Sequence, residues 1–109
     1  MTIDADVARI SRYFGIDAAL IQAVVRQEGD ILKAVRCSIP ECRDREQALE
    51  ITCRSAVHAM SDYVKEHDAP SFIATWGAKW APRYVANDPR DLNKNWPIGV
   101  LKMWVGMTA

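Results

Sequence analysis

Apolar residues recur at helical spacing along almost the whole chain, and each such segment is closed by a residue that ends helices. Ile3, Val7, Ile10 and Phe14 keep the 3.6-residue period, and Gly15 stops them. Asp17 is placed to cap a second helix that runs through AALIQAVVRQE to Gly29. DILKAVRC extends a short third segment before Pro40 interrupts. The longest helix is expected over roughly 45–66, with Leu49, Cys53, Ala56, Val57, Met60, Tyr63 and Val64 on one face. Asp68 is placed to cap a helix bearing Phe72, Ile73, Trp76 and Trp80 that stops before Pro82. RYVANDPRDLNKNW reads as a loop by its Asn, Asp and Pro content, and a last helix follows Pro97 with Val100, Leu101, Trp104 and Val105. Nothing alternates with period two. The expected fold class is all-α, with about five to six helices in one domain over residues 1–109.

Length and charge narrow the partners. A chain of 109 residues is large enough for one core and too small for two. Half of it is apolar and its formal net charge is zero, which excludes a disordered charged tail. Zero net charge also disfavours nucleic acid, whose affinity comes mainly from neutralised phosphates. No apolar run approaches the ~20 residues of a membrane span. The opening MTIDADVARI carries acids early and lacks a basic start and an apolar stretch, so synthesis in the cytoplasm is expected.

Two constellations fail on geometry. Cys37, Cys42, Cys53 and His58 are the residues a zinc site would use. Cys53 and His58 fall ~140° apart on one helix, so they do not share a metal, and no metal or other cofactor is expected. A disulfide among the cysteines would suit only a protein working outside the cytoplasm. VARISRYFGIDAALIQAVVR resembles a DNA-reading helix-turn-helix. The first half of its second helix, however, offers Asp17, Ala18 and Ala19, which donate nothing to bases or phosphates.

Glu28 is the informative residue. On a wheel measured from Leu20, Val24, Ile21 and Val25 fall at ~40°, ~100° and ~140°, and Glu28 falls at ~80°, inside that apolar arc. Gln22, Arg26 and Gln27 occupy the other side. A carboxyl aimed along an apolar face is desolvated, and one in the last turn meets the negative end of the helix dipole. Both disfavour the charged form, so a protonated acid suited to general acid catalysis of glycoside cleavage is expected there.

LIQAVVRQEGD resembles the apolar helix ending in the catalytic glutamate of the lysozyme-like superfamily, especially soluble-lytic-type transglycosylases. SFIATWGAKWAPRYVANDPRDLNKNW is similar to the aromatic, Asn-Asp-Pro-bearing segment of phage and prophage lysozyme-like proteins and to the Tyr-Ala-x-Asp-Pro segment of bacterial glucosaminidases. From the first stretch through the second the resemblance covers about two thirds of the chain, and its strictly specific part is short. The resemblance departs at Gly29, where transglycosylases usually carry serine, and in lacking a Gly-Leu-Met-Gln segment.

What the resemblance implies is cleavage of the β-1,4 glycan strands of peptidoglycan at the cell wall, with Glu28 as general acid. Tyr84 matches the tyrosine near the reacting sugar. Aromatic rings stack on pyranose faces, and Asn or Asp side chains pair with hydroxyl and acetamide groups, which makes Tyr84, Asn87, Asp88, Asn93 and Trp96 the expected substrate-binding set. Trp80 continues the Phe72, Ile73, Trp76 stripe and reads as core. A hydrolase would use a second carboxylate, for which Asp30, Asp44, Glu46 and Asp88 are candidates; a transglycosylase would use the sugar's own hydroxyl. The alternatives are a non-catalytic lysozyme-like wall-binding or virion module and, third, a helix-turn-helix DNA reader. The sequence leaves the oligomeric state open.

Overall fold

The computed structural model describes residues 2–65, 72–83 and 85–108, with the side chains of 62–65 and 107–108 set aside. Among the described residues the chain forms α1 (Ala5–Phe14), α2 (Ala18–Glu28), α3 (Ile31–Arg36), α4 (Arg45–Lys65), α5 (Phe72–Trp80) and α6 (Trp96–Thr108), with a 3-10 turn at Leu92–Asn95 before the last helix. No strand occurs among them, so the all-α expectation holds. No described helix is long and apolar enough to cross a membrane. The expected cap at Asp68 and the face residues Tyr63 and Val64 lie outside what is described.

The breakers act where the sequence places them. Gly15 takes a left-handed φ of 69° and its N–H closes α1 onto Arg12 and Ser11 carbonyls. Asp17 caps α2 by accepting from the Ala19 N–H at 3.0 Å. Gly29, at φ 78°, turns the chain out of α2 directly after Glu28. Asp30 then caps α3, accepting from the Lys33 N–H at 3.1 Å.

α2 is the central helix. It packs against α1, α3 and α6, and every residue from Ala19 to Val25 is buried. Gln22, expected on the polar side, is therefore enclosed: its Oε1 accepts the Asp4 N–H at 2.9 Å, which ties α2 to the start of α1. A wheel divides a helix into two faces, but this one has neighbours on both, and the second neighbour brings polar backbone that Gln22 satisfies.

The buried face of α4 also differs from the expected one. Leu49, Cys53 and Ala56 are buried as expected, together with Ala48, Thr52 and Ala59, whereas Val57 and Met60 are exposed. Small residues at 48, 52, 56 and 59 let α1, α3 and α5 approach this helix, and the side chains at 57 and 60 stand outside those contacts. Trp76, fully buried, fills the space where α4, α5 and α6 meet; its indole N–H donates to Ser55 Oγ at 2.8 Å. Trp80 and Trp96 pack edge-on against it, with ring centroids 6.0 and 5.5 Å away.

Candidate functional site

Glu28 ends α2 at the point where α5 and α6 converge, and both helices reach it with a tryptophan. The indole N–H groups of Trp80 and Trp96 donate to the same carboxylate oxygen, Oε1, at 2.8 and 2.9 Å. These partners come from 52 and 68 residues away in sequence. Gly77 makes the convergence feasible: a Cβ there would stand 3.2 Å from both the Trp96 ring and Pro97. Glycine thus lets α5 close onto α6, which brings the two indoles to one oxygen. The apolar wheel arc does not surround Glu28 with hydrocarbon alone. It delivers the carboxyl to two hydrogen-bond donors.

With Oε1 doubly occupied, Oε2 takes no hydrogen bond among the described residues. Glu28 is half-buried and lines a cleft of about 550 Å³, within the range of small-molecule sites. Val35, Ile39 and Ile51 give this cleft apolar surface, while Ser55, Asn87 and Asn93 give it polar groups. Trp80 and Lys79 contribute from the end of α5, and the exposed Cys37 from the end of α3.

The expected substrate-binding residues divide. Asn87 and Asn93 share the cleft with Glu28, although they lie in a separate segment of the chain. Asn93 also donates from Nδ2 to the Pro82 carbonyl at 2.8 Å, which fixes the loop it sits on. Asp88 serves that loop instead of the cleft: its two carboxylate oxygens accept the Leu92 and Asn93 N–H groups, each at 2.9 Å. Trp96 is 4 % exposed, so its ring is core and its reach to the site is through the N–H alone. Tyr84 lies outside the described residues. Trp80, read from its stripe as core, is half-buried and lines the cleft.

The other carboxylates expected as partners for Glu28 are engaged elsewhere. Asp30 and Asp44 cap α3 and α4, and Glu46 pairs with Arg9 at the surface. Asp91 bonds Arg83, whose guanidinium holds that carboxyl below the usual carboxylate range. Among the described residues, Glu28 is the one carboxylate lining the cleft.

The cysteines are three thiols: Cys37 exposed, Cys42 and Cys53 buried. Cys42 lies in the loop before α4 and is 2 % exposed; the Arg36 side chain holds that segment inward by donating to the Cys42 and Arg43 carbonyls. Burial pushes the Cys53 thiol up despite the contact with Ser11 Oγ, so it stays protonated. Cys53 is buried and His58 exposed, and no three His, Cys, Asp or Glu side chains converge as a metal site would require among the described residues.

Scans against known protein families, curated proteins and solved structures find no significant match to this chain.

Proposed function

We propose that this domain cleaves the glycan strands of peptidoglycan, with Glu28 as the general acid. The observation that carries the reading is the pair of indole N–H groups on Oε1 of a carboxyl that lines a cleft. Two donors on Oε1 mean that a proton carried by this acid sits on Oε2, the oxygen left for a substrate. A general acid needs that placement within hydrogen-bond reach of the leaving oxygen. Asn87 and Asn93 offer amides for sugar hydroxyl and acetamide groups, and the exposed part of Trp80 offers a ring for a pyranose face.

Among the described residues Glu28 is the one carboxylate in the cleft, which favours one form of the chemistry. Glycosidases that use water need a second carboxylate across the scissile bond. In a transglycosylase, Glu28 protonates the glycosidic oxygen and the leaving sugar departs. The resulting carboxylate then takes the proton from the C6 hydroxyl of the remaining sugar, which closes onto its own C1 as a 1,6-anhydro ring. Glu28 regains its proton and no water is consumed.

Mass analysis of purified peptidoglycan after incubation with the protein tests this reading. Anhydro-ended fragments are expected. Reducing ends would assign hydrolysis, and binding to the glycan without fragments would favour the non-catalytic wall-binding module. The DNA-reading alternative is disfavoured because α2, which would have to enter a groove, is buried from Ala19 to Val25.

A further inference from the structure

A second concave surface lies between α1 and α4, and it shares no lining residue with the Glu28 cleft. On α4 the cleft takes Ile51 and Ser55, whereas this groove takes Glu50 and Arg54, so the two open on different faces of one helix. From α1 it takes Arg9, Arg12, Tyr13 and Phe14, with the buried Ile10 beneath. The volume is about 530 Å³.

The chemistry of this groove departs from that of the whole chain. Formal charge is zero overall, yet three guanidinium groups stand around one depression with a single carboxylate, Glu50, among its lining residues. Arg9 makes an exposed pair with Glu46 at 3.0 Å, the kind worth little in water. Arg12 and Arg54 meet no carboxylate among the described residues; Arg54 rests over the Phe14 ring, 5.8 Å from its centroid. Tyr13 stands edge-on to Phe14 and is 85 % exposed, an unusual position for a large ring.

We propose that this groove docks an acidic peptide segment of a partner protein. The forked guanidiniums of Arg12 and Arg54 match side-chain carboxylates bidentately, and Ile10, Tyr13 and Phe14 give an intervening apolar side chain a seat. Glu50 distinguishes this occupant from a phosphate polymer: it would repel a continuous run of phosphates, whereas a peptide places its carboxylates at intervals and offers backbone N–H groups to Glu50. The proposal is independent of the glycan reading, since it involves neither Glu28 nor its cleft.

The test pans a random short-peptide display library on the full chain and on the double variant Arg12→Glu, Arg54→Glu. Both positions are exposed, and thermal melting checks that the variant folds. Peptides carrying two or more Asp or Glu residues with an apolar residue between them should be enriched on the parent. Amide resonances of residues 9–14 and 50–54 should shift on adding the strongest of them, and the double variant should bind it at least about tenfold more weakly. The proposal is overturned by no enrichment, or by enriched peptides that lack acidic residues. It is equally overturned by shifts centred elsewhere, by undiminished binding to the variant, or by equal affinity for a single-stranded oligonucleotide. Groove resonances that move with protein concentration alone would assign the surface to a second copy of the chain and also overturn it.

Discussion

Glu28 shows what a sequence can and cannot reveal about one residue. Its place at the end of an apolar helix, followed by Gly29, singles it out from the other acids. Its partners are invisible at that level, because Trp80 and Trp96 reach it from segments 52 and 68 residues away. Cys37 provides a way to test the cleft without touching Glu28. It is the exposed thiol on the cleft wall, while Cys42 and Cys53 are buried. A bulky maleimide should therefore modify Cys37 alone, as intact mass and peptide mapping would show, and should block glycan turnover. Cys37→Ser protein given the same reagent should keep its activity. Full turnover by the modified parent would place the substrate elsewhere. Asn87 and Asn93 were legible as cleft residues by composition, because amides in an Asn-Asp-Pro loop have few apolar neighbours to bury them. Asp88 and Trp96 carry structural contacts the sequence did not indicate: one holds the loop by accepting backbone N–H groups and the other fills the core. Those roles depend on tertiary partners.

Helix boundaries were the most legible feature at the scale of elements, because caps and glycines act locally. Gly15, Asp17 and Gly29 each do in the structure what their chemistry suggests, whereas Asp30, read as a possible second carboxylate, caps α3. Faces were less legible, since burial depends on how many neighbours a helix acquires. Gln22 and the Val57–Met60 side of α4 are the two cases where that mattered. Asp17 joins both levels: one carboxylate oxygen caps α2 through Ala19, and the other accepts the Trp104 N–H of α6 at 3.0 Å. Asp17→Ala removes both bonds, and the half-exposed Trp104 can exchange its lost partner for water. The expected cost is that of a helix cap, about 1–2 kcal/mol. Urea unfolding should show a lower midpoint for the alanine variant and a smaller change for Asp17→Asn. Equal midpoints for all three proteins would remove the cap from the stability of α2.

Across the whole molecule, α2 lies at the centre and its C-terminal end presents Glu28 to the cleft. A second tie on α2 is made by charge. Arg45 at the start of α4 bonds Asp4 at 3.0 Å and also Asp6, while Asp4 is held to Gln22 of α2. Burial works against ionisation of Asp6, but the hydrogen bond and charge of Arg45 outweigh it and hold the carboxyl below its usual range. A carboxyl depressed in this way stabilises the fold above its unfolded value of about 3.9, and that contribution is lost as pH falls through the lower folded value. Melting temperature should therefore drop more steeply on acidification below about pH 4 for the parent than for Asp6→Asn. Parallel curves would show that the tie contributes nothing. The central claim is that Glu28 transfers a proton, and Glu28→Gln tests it most directly. The amide oxygen can still accept from both indoles, so the fold is expected to persist with an unchanged or slightly higher melting temperature. Release of glycan fragments from peptidoglycan should fall by roughly 10²–10⁴-fold, the range for loss of a general acid, while Glu41→Gln at the surface leaves it unchanged. A folded Glu28→Gln protein that releases fragments at the parent rate would contradict the claim.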